Sequence, residues 1–125
     1  MRPRVRDERG LSQSVQYAVI WPTLMLLTLG IIQAGVWVHG QNVALRAAAA
    51  GADVARGSYG TSTQAHDVAT RLATAGGLND VQVSVTRGAA RVDIIVSAEA
   101  PAIFDVGLGR ISETATLPLE RVTPP

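Results

Sequence analysis

VQYAVIWPTLMLLTLGIIQAGVWV, residues 15–38, contains no charged side chain. At about 1.5 Å of rise per residue, a helix over 17–38 would be roughly 33 Å long, enough to cross the hydrocarbon core of a bilayer. A single uninterrupted helix satisfies its own backbone donors and acceptors, which lipid cannot do. The stretch therefore predicts a transmembrane helix. Pro22 falls, on this reading, within the first turn or two, where its missing N–H is nearly free and its fixed φ suits a helix start. Tyr17, Trp21 and Trp37 lie toward the two ends, where amphipathic rings prefer the headgroup boundary.

Ahead of this stretch, MRPRVRDERG sets four arginines against Asp7 and Glu8. Short basic flanks are retained on the cytoplasmic side. The arm, residues 1–10, is thus expected inside, the helix over 11–39 in the cytoplasmic membrane, and everything after it outside, in a single pass. A cleaved secretory signal also opens basic and then apolar, but its apolar core is shorter than this one. Here, moreover, helical character continues through alanine-rich sequence to Arg56.

Composition narrows the function classes. The chain has 125 residues, no cysteine, eleven basic residues that are all arginine, and a formal net charge of +1. The missing cysteines exclude a disulfide framework, a thiolate metal site and a cysteine nucleophile. Scattered arginines at near-zero net charge argue against a nucleic-acid face, which concentrates positive charge in one patch or stripe. One helix given to a membrane leaves roughly 70 to 85 residues for a body, a single small domain with a thin core.

From Gly40 the helix is expected to enter water and change character. Val43, Ala47, Ala50 and Val54 recur at spacings of four, three and four, while Asn42, Arg46, Asp53 and Arg56 fall on the other side. This predicts an extramembrane extension over 40–57 that lays one narrow apolar stripe on a domain. Gly57-Ser-Tyr-Gly60 breaks it, and Thr61 to Gln64 has capping-box spacing for a second helix. Ala65, Val68, Ala69 and Leu72 form that helix's apolar face, and Gly76-Gly77 ends it. Val81, Val83 and Val85 alternate with polar residues, as do Val92, Ile94 and Val96 after a turn at Arg87-Gly88, which is a hairpin signal. Residues 99–109 read as an irregular crossover exposing Ile103 and Phe104, and 111–119 as a third strand that Pro118 makes an edge or a stop. Residues 121–125 read as a frayed tail. The fold class is α+β: a long transmembrane helix extending out of the membrane, then a small head over 58–120 of one short helix and a roughly three-stranded antiparallel sheet.

The run from Arg9-Gly10 through SVQYAVIWPTLMLLTLGIIQAGVWVHGQNVALRAAAAGADVAR resembles the TadE-like proteins, pilin-like components of tight-adherence (Flp) pilus systems. The positions that carry the resemblance are Arg9-Gly10, Val15-Gln16-Tyr17-Ala18, Pro22, Asn42-Val43-Ala44 and Gly51-Ala52. It implies a pilin-like architecture and a possible processing junction at Gly10-Leu11, because the peptidase of pilin-like precursors cuts after such a glycine. It also implies that position 16 takes part in docking a neighbouring subunit. Two departures stand out: the family's usual glutamate is Gln16 here, and it lies six residues after Gly10 rather than five.

Within the helix itself, Gly30 with Ala34, and Ala47 with Gly51 and Ala55, repeat every four residues. Small residues at that spacing let helix backbones approach closely, so these positions are candidates for packing on other helices. Gln33 is a candidate for a hydrogen bond to a neighbouring helix, whereas Thr23 and Thr28 are expected to bond back to their own helix carbonyls.

No constellation for chemistry stands out. His66-Asp67 is the nearest acid–base pair, but neighbours in sequence point about 100° apart on a helix. Glu99, Asp105 and Glu113 could converge in the head, and no nucleophile elbow, phosphate loop, HExxH or EF-hand occurs. The expected function is structural and non-catalytic, with no cofactor, metal or small-molecule substrate. Its partners would be the lipid bilayer and other pilin-like subunits or pilus-assembly proteins. The competing expectation is a membrane-tethered binding module that never joins a filament.

Overall fold

The computed structural model describes residues 8–103 and 109–120, with side chains from residue 10 onward. Five elements follow in order: α1 (Glu8–Arg56), α2 (Ser62–Ala75), β1 (Asn79–Arg87), β2 (Arg91–Glu99) and β3 (Arg110–Pro118). The chain forms two compact units, Met1–Gln33 and Ala34–Pro125. Phe104, Asp105 and the tail over 121–125 lie outside the described residues.

In the first unit the described chain is entirely α1. Because α1 starts at Glu8, Pro22 sits well inside it and not in its first turns, which corrects the sequence reading. Proline has no N–H, so the Ala18 carbonyl loses its i+4 donor there. Hydroxyls nearby do bond back as expected: Thr23 Oγ1 donates to the Val19 carbonyl (2.7 Å) and Thr28 Oγ1 to Leu24 (2.8 Å). Twelve large apolar or aromatic side chains between Leu11 and Ile32 are exposed, Trp21 at 65%. At about 1.5–3 kcal/mol for fully burying each, leaving them in water forgoes on the order of 20 kcal/mol, more than the net stability of a typical domain. Lipid removes that penalty.

The second unit is a two-layer sandwich. Its sheet is antiparallel with order β1-β2-β3. Directly opposed residues place Val83, Val96 and Glu113 in one row, Val85, Ile94 and Ala115 in the next, and Arg87, Val92 and Leu117 in a third, all on one face. Val92, Ile94 and Val96 of the central strand are fully buried. The opposite face carries Ser84, Thr86, Ser97, Ser112, Thr114 and Thr116, the one-sided amphipathicity usual for an antiparallel sheet. β1 carries a register shift between Asn79 and Gln82, with Asp80 at φ 48°.

Two helical segments cover the apolar face. α2 lies mainly over β1. The carboxy-terminal part of α1 meets β2 and β3: a Cβ at Gly51 would come within 3.6 Å of Ile94, and one at Gly40 within 2.6 Å of Ile111. α2 starts with the capping box read from the sequence, the Gln64 N–H donating to Thr61 Oγ1 (3.1 Å) and the Thr61 N–H to Gln64 Oε1 (3.3 Å). It stops at Gly76, and Gly77 follows at φ 91°, a left-handed conformation that favours glycine. Its buried face is Ala65, Ala69 and Ala73; Leu72, assigned to that face from the sequence, is 45% exposed.

The α1 stripe needs a similar correction. The buried residues are Gly40, Ala44, Ala47, Ala48, Gly51, Ala52 and Ala55, whereas Val43, Ala50 and Val54 are half-buried on its flank. The face is broader than the predicted stripe because α1 touches two surfaces at once. Val43 packs against Gly76 at the end of α2, while Gly40 and Gly51 address the sheet. The extension over 40–57 is therefore one layer of the head's own core.

Candidate functional site: the faces of the long helix

The small residues proposed for helix docking divide into two groups. Gly30 and Ala34 are exposed, and a Cβ at Gly30 would meet nothing within 4 Å. Gln16 is also exposed, and Gln33 is half-buried. Ala47 and Ala55, by contrast, are fully buried. A Cβ on Gly51 would stand 3.1 Å from the Ala65 carbonyl oxygen and 3.2 Å from Ala69 Cβ. Their partner is the chain's own α2 and sheet, so the sequence expectation that Ala47, Gly51 and Ala55 meet other subunits is corrected. Close helix approach was the right physics, and the occupant is intramolecular.

Gly10 and Leu11, the possible processing junction, both lie in α1, with Leu11 68% exposed. Among the described residues α1 is the one helix long and apolar enough to cross a membrane, and its most apolar eighteen-residue window has no buried residue. Core helices of water-soluble domains have a buried face, and this segment has none.

Chemistry finds little material in the head. His66 Nδ1 lies 3.9 Å from Asp67 Oδ1 on the exposed side of α2, with no third group described beside them. Glu99 pairs with Arg110 (3.5 Å) on the solvent face, while Glu113 belongs to the helix-covered face, so these two do not converge, and Asp105 lies outside the described residues. Among the described residues no group of three histidines or acids could hold a metal ion.

Comparison with known proteins bears on the long helix. Residues 12–53 match the family model of TadE-like proteins. No curated protein and no solved structure matches the chain. The TadE-like segment is a third of the chain and lies entirely within α1. It holds the resemblance at Val15-Gln16-Tyr17-Ala18, Pro22, Asn42-Val43-Ala44 and Gly51-Ala52, and it leaves Arg9-Gly10 outside. α2 and the sheet follow it without being part of the match.

Several structural contacts had no sequence signal. Arg87 donates to the Gly60 carbonyl (2.7 Å), tying the hairpin turn to the loop after α1. Arg56 reaches Asp53 (3.0 Å) and Glu120 (3.7 Å), and the Glu120 N–H donates to the Arg56 carbonyl (3.1 Å). Apart from the local Asp53–Arg56 pair, these contacts close one end of the head across long sequence separations, and periodicity carries no information about such pairs.

Proposed function

We propose that this protein is a non-catalytic, membrane-anchored component of a tight-adherence pilus or a related secretion apparatus. The observation that carries the reading is the coincidence of the TadE-like match with a charge-free helix whose apolar side chains are exposed all round. TadE-like proteins are structural, and the non-catalytic reading rests on that similarity. The helix holds the subunit in the cytoplasmic membrane with the basic arm inside and the head outside. Gly30, Gln33 and Ala34, with Gln16 nearer the start, are the positions through which it packs on neighbouring helices. Gly10-Leu11 is the junction at which a precursor would be cut.

Two measurements test this. Co-purification of the detergent-extracted protein through an affinity tag after Pro125, with mass spectrometry of partners and of its own amino-terminus, is expected to recover other single-helix pilin-like subunits and a chain starting at Leu11. An intact terminus would refute the processing step alone. An intact chain with no such partners would replace the whole reading by the membrane-tethered binding module. Because the chain lacks cysteine, Ser58→Cys gives a single thiol, expected to react with an impermeant maleimide from outside intact spheroplasts. Labelling only after lysis would reverse the orientation.

A further inference from the structure

The free edge of β3 carries a signature that the membrane reading does not use. β3 pairs with β2 over nine consecutive residues without a register shift, and no described strand lies on its other side. Half of its backbone donors and acceptors therefore face outward. Natural sheet edges are blunted by bulges, prolines or lysines. β1, the other edge, has a register shift and the positive φ of Asp80, whereas β3 runs clean from Arg110 until Pro118. Between Arg110 and Pro118 its solvent face is Ser112, Thr114 and Thr116, all exposed, uncharged and small enough for a neighbouring strand to approach.

Glu113 indicates what kind of strand would fit. It is half-buried on the helix-covered face, directly opposite Val96, and among the described residues it forms no ion pair or hydrogen bond. Asp53, Asp93, Glu99 and Glu120 each have an arginine within 4 Å. A carboxylate half removed from water costs free energy unless it is matched by charge. Val96 fills the position beside it on β2, so the directly facing position left for a cation is on an added strand, where Cβ atoms of opposed residues are about 5 Å apart.

We propose that the β3 edge docks an extended segment of another polypeptide that carries a basic residue opposite Glu113 and apolar residues two positions to either side. Main-chain hydrogen bonds to residues 112–117 supply the affinity, and the cation beside Glu113 supplies the register. The site lies within the second unit and does not depend on the pilus assignment. Its opposite is also a physical possibility with a distinct outcome: an inward-pointing charge on an edge strand can serve to repel added strands.

The test uses the full chain in detergent micelles and the synthetic peptide Val-Thr-Val-Thr-Arg-Thr-Val-Thr-Val, with a Glu-centred version as control. The Arg-centred peptide is expected to slow hydrogen exchange at the outward amides of β3. Glu113→Gln should weaken its binding about two- to five-fold, the range of one cross-strand charge pair. Glu113→Lys should invert the preference between the two peptides. Equal protection by both peptides, or by neither, overturns the proposal. So does a Glu113→Gln protein that self-associates and ignores the Arg-centred peptide, which would make Glu113 a guard of the edge.

Discussion

Replacing Gly51 by leucine separates a glycine that serves the head's own core from one that serves other subunits. A Cβ alone at this position would stand 3.1 Å from the Ala65 carbonyl oxygen and 3.2 Å from Ala69 Cβ, with Ile94 Cδ1 at 3.6 Å. The first two are tighter than ordinary van der Waals contact, and one of them is backbone. Leucine adds three more carbons with no space to enter, so α1 and α2 must move apart and uncover the alanines between them. Overpacking of this kind costs about 1–3 kcal/mol, offset by less than about 1 kcal/mol from the better helix propensity of leucine over glycine. For a head of this size each kcal/mol lost lowers the midpoint by roughly 4–8 °C. The assay is hydrogen exchange at the Val92, Ile94 and Val96 amides in micelles, whose side chains are fully buried under the helices. Their protection should fall, whereas Gly30→Leu, built into open space, should leave it unchanged. Undiminished protection in Gly51→Leu together with a loss of subunit association would refute the reasoning and restore the intermolecular reading of Gly51.

Three further outcomes follow from named contacts. Thr61→Ala removes the hydroxyl that accepts from the Gln64 N–H, and should cost about 1 kcal/mol with faster exchange confined first to the amides of residues 62–65. Pro22→Leu restores an N–H for the Ala18 carbonyl deep inside α1; in micelles the span should become more helical and the amides of residues 21 and 23 better protected, the interior-proline penalty being about 3 kcal/mol in water. Unchanged protection would mean that the Ala18 carbonyl already has another donor. Gln33→Leu should leave membrane insertion intact and weaken helix association by roughly 0.6–2 kcal/mol, read as a lower cross-linking yield; an unchanged yield would remove Gln33 from the packing surface.

Much of the architecture was legible in local pattern. The Thr61 to Gln64 spacing gave the start of α2, and Gly76-Gly77 its end, because capping is settled within a few residues. The valine alternations gave β1 and β2, and the third strand follows at Arg110–Pro118. Helix faces were less legible. Leu72 satisfied the periodicity of α2 yet points to solvent, and Val43, Ala50 and Val54 turned out to flank a broader buried face. In sequence as rich in alanine and glycine as this, small residues recur at every helical spacing, so the pattern cannot say which face is covered. Nor could it say that Glu113 shares a face with Val83 and Val96, since a strand's alternation does not record which side the helices occupy.

The sequence by itself determined a long, charge-free helix of a length and composition that can cross a membrane, and its similarity to TadE-like proteins, because such a helix satisfies its own backbone and needs no tertiary partner. It also determined the order of the head's elements, whose boundaries are written in caps, glycines and alternation. Only the tertiary structure decided which small residues are spent inside. Ala47, Gly51 and Ala55 are consumed by α2 and the sheet, Gly30 and Ala34 stay exposed, and Pro22 proves to be interior because the helix begins earlier than its apolar stretch. The physical reason is common to all three. Close approach, exposure and helix register depend on what packs against a residue, and that partner is in most cases far away along the chain.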